Sequence, residues 1–118
     1  MSRTEKLANE IRHAICQILE RELKDPHLGF ITIIGVDVSP DLQLAKVYFT
    51  ALGEAKQKEI SEKTLKSAAG FIRSRLAGRV RMRYTPVLDF RPDESSEYGQ
   101  KIDDIFKKIN EGKSKDVS

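Results

Sequence analysis

Two short runs of β-branched and aromatic residues, set close together, constrain this chain more than any other feature. Phe30 to Val38 carries Ile31, Thr32, Ile33, Ile34, Val36 and Val38, and Ala45 to Leu52 carries Val47, Tyr48, Phe49 and Thr50. Such side chains are stiff about χ1 and fit a pleated surface. Between the runs lies Ser39-Pro40-Asp41-Leu42-Gln43, a turn-rich stretch of hairpin length. The two runs are therefore expected to pair as antiparallel strands.

The flanking segments have a helical period. Leu7, Ile11, Ala14, Ile15, Ile18 and Leu19 recur at three- and four-residue spacing, which predicts a helix over about 4–24. Ser2-Arg3-Thr4-Glu5 has the form of a capping box, and Asp25-Pro26 ends the helix. From about 57 to 80, Ile60, Leu65, Ala68, Phe71, Ile72, Leu76 and Val80 mark a second apolar side. Ala69-Gly70 interrupts it, and glycine within a helix costs about 1 kcal/mol relative to alanine. Two helices joined with almost no loop are expected there. A third strand is expected over about 82–90, with Tyr84, Val87, Leu88 and Phe90; Pro86 lacks an amide donor, so it lies at an edge or the strand starts after it. Tyr98, Ile102, Ile105, Phe106 and Ile109 share one face of a last helix over about 94–110. The fold class is α+β: a three-stranded sheet with helices packed on one face, in the αββααβ order of a type II KH domain, plus a C-terminal helix.

At 118 residues the chain fits one domain, expected over 1–112, with a disordered polar tail over 113–118. A lone cysteine, Cys16, permits no intrachain disulfide. The apolar runs are too short and too broken by charge for a membrane span, and Met1 to Glu5 has no signal-peptide character. A reducing, cytoplasmic setting is expected.

Charge is unevenly placed. Residues 63–91 hold Lys63, Lys66, Arg73, Arg75, Arg79, Arg81, Arg83 and Arg91 against one acid, Asp89, a local charge of +7 in a chain of net charge +3. A basic block on an otherwise acidic chain suits a polyanion partner, although charge alone fits a solvated helix face equally well. Arg75 and Arg79 fall four residues apart on one helical face, with Arg73 beside them, so the arginines form a band. Arg81 and Arg83 alternate as they would on entering a strand. Lys66 stands one turn before the Ala69-Gly70 interruption, where a new helix N-terminus offers amides to an anion. Phe71 and Phe90 read as core, so recognition by backbone and shape is expected rather than base-by-base readout.

Other chemistry is poorly supported. His13 and His27 have no partners at metal-ligand spacing, and no metal site is expected. Cys16 lies within a turn of His13, but beside the apolar stripe it reads as a packed thiol. There is no phosphate-binding loop and no dinucleotide fingerprint. No cofactor, small-molecule substrate or enzymatic activity is expected.

Five stretches resemble one family. They are Arg21 to Gly29 at the end of the first helix, Ser39 to Thr50 at the hairpin, and Ala68-Ala69-Gly70-Phe71-Ile72-Arg73-Ser74. Arg83 to Phe90 and Asp93 to Ile102 complete the set. In order and spacing over residues 3–109 they are similar to the ribosome-binding factor A family. The resemblance implies a type II KH fold in which an Ala-x-Gly kink, here Ala68, Ala69 and Gly70, replaces the usual Gly-x-x-Gly loop. It also implies a non-enzymatic partner of the small (30S) ribosomal subunit that assists late maturation. Processing of the 16S rRNA precursor near its 5′-terminal helix, and growth in the cold, belong to the same expectation. Arg73 falls in the matched motif, whereas Lys66, Arg75, Arg79, Arg81 and Arg83 are RNA-binding candidates on charge and spacing. For Asp25-Pro26 and Asp93-x-Ser95 the preferred role is capping and turn formation. The chain is expected to act as a monomer. The alternatives are a generic KH-type binder of single-stranded nucleic acid and a protein-interaction domain with an acidic partner.

Overall fold

The computed structural model describes residues 2–93. The expected last helix over 94–110 and the polar tail over 113–118 lie outside these residues. Helix α1 (Arg3–Arg21) is followed by a 3-10 turn (Pro26–Leu28) and then by strands β1 (Phe30–Val38) and β2 (Leu44–Leu52). Helices α2 (Ala55–Ser67) and α3 (Ala69–Arg79) lead to strand β3 (Val87–Pro92). The order αββααβ and the α+β class are those expected.

Ser2 caps α1 by accepting the Glu5 amide at 3.2 Å. The helix stops at Arg21, three residues short of the expected end. The amides of both Glu22 and Leu23 turn onto the Ile18 carbonyl, each at 2.9 Å, so the last turn closes before Pro26 is reached. Asp25 then caps the 3-10 turn, accepting the His27 amide at 2.9 Å.

The sheet order is β1-β2-β3, which makes β2 the central strand. β1 and β2 pair antiparallel from Phe30↔Leu52 to Val38↔Ala45, with a bulge between Ile33 and Gly35. β3 lies parallel to β2, from Leu44↔Val87 to Phe49↔Pro92. A parallel return requires a crossover, and α2 and α3 provide it. The expected strand over 82–90 is corrected in its first half. Pro86 has no amide to give the ladder and is fully buried, so pairing starts with the Val87 amide on the Gln43 carbonyl. Arg81, Met82, Arg83 and Tyr84 form the connection from α3.

The core lies between the helices and one face of the sheet. Ile11, Ile15 and Ile18 of α1 meet Val47 and Phe49 of β2, Leu65 of α2, and Ile72 and Leu76 of α3. Each such side chain, fully withdrawn from water, contributes about 1.5–3 kcal/mol. Phe71, expected in the core, is 38% exposed instead.

The break between α2 and α3 falls at Ala68, the first residue of the expected Ala68-Ala69-Gly70 kink and one residue before the Ala69-Gly70 interruption read from the apolar period. Ala68 has φ −88° and ψ 1°, outside helical geometry. Its amide is shared between the Thr64 and Leu65 carbonyls at 3.1 Å. Two hydroxyls prepare the stop: Thr64 donates to the Ile60 carbonyl at 2.8 Å and Ser67 to the Thr64 carbonyl at 2.9 Å. Such back-bonding competes with the helical ladder and bends it. Ala68 and Ala69 are half-buried against the core, while Gly70 faces out.

Candidate nucleic-acid interface

α3 starts without a side-chain cap, so no side chain competes for its first amides. Its outward residues include Gly70, Ser74 and Ala77, which line a shallow groove with Arg73, Arg83 and Tyr84. A Cβ added to Gly70 or Gly78 would meet nothing within 4 Å. Packing therefore asks for neither glycine, and each leaves the helix backbone open to close approach.

The cations expected to form one band divide into two groups. Arg73 bridges two carbonyls, Nε donating to Pro86 at 3.1 Å and Nη2 to Thr85 at 2.8 Å. It fastens α3 to the entry of β3. Arg79 donates to Gln17 Oε1 on α1 at 3.1 Å and to Oε2 of Glu22, the residue that caps the end of α1, at 2.9 Å. Arg75 lies 3.7 Å from the same Glu22 and stacks over Phe71 at 4.9 Å. Lys66 pairs with Glu62 at 2.9 Å, a turn back on α2. Lys66 has a carboxylate of its own, Arg75 and Arg79 share one, and Arg73 is held by carbonyls that leave its charge intact.

Arg81 and Arg83 form the second group. They do not enter a strand, since the strand begins after Pro86, and they stand exposed on the connection from α3. Neither forms an ion pair among the described residues; Arg83 stacks over Tyr84 at 5.4 Å. Arg3 and Lys6, from the first turns of α1, line a second depression together with Arg81 and Arg83 and are likewise without an acid partner among the described residues. Sequence reasoning passed over them because Arg3, Glu5, Lys6 and Glu10 balance along the chain. Only the folding of α1 against the α3–β3 connection brings them to Arg81 and Arg83.

Aromatic surface was also underestimated. Tyr84 is 59% exposed, and both it and Phe71 carry an arginine on the ring. Exposed rings beside cations are suited to stacking with bases.

No activated nucleophile is built at Cys16. Burial pushes its thiol up, and Arg12 only partly opposes this, which is the reverse of what a reactive thiolate needs. His13 Nε2 pairs with the Gln17 amide at 3.2 Å. Among the described residues no cluster of three or more metal-ligating side chains occurs, and no helix is long and apolar enough to cross a membrane.

Residues 3–106 match the profile described as ribosome-binding factor A. Ribosome-binding factor A of Trichlorobacter lovleyi is 47% identical over 110 residues, covering 93% of this chain and 89% of that protein. The crystal structure of ribosome-binding factor A from Thermus thermophilus superposes with a TM-score of 0.69 at 31% identity, over 77% of this chain and 97% of the other. A Thermus thermophilus homology model fitted into the cryo-EM map of a complex of 30S with ribosome-binding factor A superposes with a TM-score of 0.65 at 31% identity, over 78% and 98% of the two chains.

Proposed function

Because the chain belongs to the ribosome-binding factor A family, we propose that it binds the small (30S) ribosomal subunit during late maturation, through the phosphates of 16S rRNA. In this reading it assists processing of the 16S precursor near its 5′-terminal helix and sustains that step in the cold. It does so as a cytoplasmic monomer of one domain, by binding rather than by turnover, and without a cofactor. The observation that carries the proposal is the exposed Arg81–Arg83–Tyr84 connection beside the open face of α3 at Gly70. Unpaired cations neutralise phosphate without first surrendering an internal partner, and a helix surface of small residues, Gly70, Ser74 and Ala77, leaves room for a sugar-phosphate backbone.

The test is co-sedimentation with immature and mature small subunits isolated from cells, comparing the wild type with Arg81→Glu/Arg83→Glu. Both positions are exposed and form no ion pair among the described residues, and Arg83 touches only the exposed Tyr84 ring, so circular dichroism should be unchanged. The wild type should pellet with subunits and the double variant should remain in the supernatant. Equal pelleting of both proteins would reject the arginine surface. Equal affinity for arbitrary single strands and for subunits would favour a generic RNA binder. Retention of acidic proteins rather than RNA would favour a protein-interaction domain.

A further inference from the structure

The first turns of α1, the tip of the β1–β2 hairpin and the α3–β3 connection enclose a cleft of about 380 Å3, within the range of small-ligand sites. Its cations are Arg3, Lys6, Arg81 and Arg83, and its one acid is Glu10. Its floor is apolar: Leu7, Leu42 and Met82, each half-buried, with Tyr84 at the rim. An apolar floor ringed by cations matches a ligand that has flat uncharged faces and anionic links on either side.

The hairpin tip gives a second reason to single out this cleft. Leu42 has φ +62°, and no other non-glycine residue among those described has a positive φ. Asparagine or glycine would sit there with less strain. The rest of the turn is polar and firmly tied. Ser39 Oγ donates to Asp41 Oδ1 at 2.6 Å, the Gln43 amide donates to the same oxygen at 3.2 Å, and the Leu42 amide to the Ser39 carbonyl at 2.8 Å. A turn so built holds a leucine side chain toward the cleft in a backbone conformation that leucine avoids. Arg83 and Tyr84 line both this cleft and the groove beside Gly70. An RNA strand crossing α3 would therefore pass over Tyr84 into the cleft.

We propose that this cleft receives one unpaired nucleotide of the bound RNA, its base seated on Leu7, Leu42 and Met82 against Tyr84 and its phosphates met by Arg3, Lys6, Arg81 and Arg83. The proposal rests on the RNA-binding reading above and adds a preference for unpaired over duplex RNA. A stacked base in an A-form helix cannot present its face to such a floor.

The experiment uses the full chain and small subunits isolated from cells. Tyr84→Ala and Leu42→Asn are compared with the wild type for subunit affinity, with urea denaturation as the control on folding. Asparagine tolerates the positive φ, so Leu42→Asn removes one third of the apolar floor without breaking the turn. Each variant should weaken binding about tenfold, the scale of one lost stacking contact. Tyr84→p-benzoylphenylalanine should cross-link to rRNA at an unpaired nucleotide. Affinities within twofold of wild type in both folded variants would overturn the proposal while leaving the RNA-binding reading intact. A cross-link to a ribosomal protein, or to a paired nucleotide, would overturn it as well. Failure of the wild type itself to bind subunits would reject the parent reading, and this proposal with it.

Discussion

Arg73 donates to two backbone carbonyls across the α3–β3 junction, so its replacement is a stability experiment before it is a binding one. Arg73→Ala should cost about 1–2 kcal/mol in urea unfolding, the scale of charge-assisted hydrogen bonds at a partly exposed site. Arg73→Lys should recover less than half of that, because an ammonium cannot span two carbonyls as a guanidinium fork does. Two glycines offer the opposite contrast. Gly29 has φ +64°, and a Cβ there would lie 2.8 Å from Gln57 Nε2 and 2.9 Å from the Ser61 hydroxyl. The Gln57 amide can move aside, but Ser61 is fully buried. Gly29→Ala should therefore destabilise the fold by about 2 kcal/mol in thermal or urea unfolding. Gly70→Ala should stabilise it by about 0.5–1 kcal/mol, since the position is helical and open, yet lower subunit affinity because a methyl would stand on the face proposed to meet the RNA backbone.

At the scale of elements, Glu22 joins the end of α1 to α3 through Arg75 and Arg79. Glu22→Gln should cost no more than about 1 kcal/mol, as expected of a half-exposed ion pair. It also frees two cations and removes a charge that repels RNA. Subunit binding measured at low salt should tighten a few-fold, and its salt dependence should steepen by about one unit of slope. The polar turns respond to pH. The backbone amide of His27 holds the Asp25 carboxyl below its ordinary value of 3.8, and the Ser39 hydroxyl does the same for Asp41. A carboxylate whose folded pKa is depressed stabilises the protein above its unfolded pKa, and that contribution is lost as pH falls through the folded value. Unfolding followed by circular dichroism should show stability declining below about pH 3.8, with a shallower decline in Asp25→Asn/Asp41→Asn.

For the whole molecule, the distribution of paired and unpaired charge sets the salt dependence of binding. With Arg75 and Arg79 sharing Glu22 and Arg73 tied to backbone carbonyls, the proposed interface relies mainly on Arg3, Lys6, Arg81 and Arg83. About four phosphates give a log–log slope on the order of −2.8 to −3.6, shallower than a fully engaged basic block would produce. Affinity for small subunits measured across a range of salt concentrations checks this, and a salt-insensitive complex would count against phosphate-led binding.

Much of the architecture was legible along the chain because it rests on local chemistry. The two β-branched runs, the apolar stripe of α1 with its Ser2 cap, and the Pro86 interruption each act within a few residues, so hairpin, helix and strand edge follow from them. The helix break was legible within the Ala68-Ala69-Gly70 motif, but periodicity pointed to its glycine and not to Ala68, since the back-bonding hydroxyls of Thr64 and Ser67 were inconspicuous. The site was legible only as a net charge. Whether an arginine is free to take an outside ligand depends on whether the fold has already given it an acid or a carbonyl, and those partners lie far away in sequence: Glu22 is 57 residues from Arg79, and Pro86 is 13 from Arg73. Composition and periodicity determined the α+β order and marked a basic block whose partner charge alone left open. Tertiary structure alone decided which cations remain unpaired, exposed Tyr84, and brought Arg3 and Lys6 from the start of the chain to Arg81 and Arg83, because charge pairing is settled by distance in space.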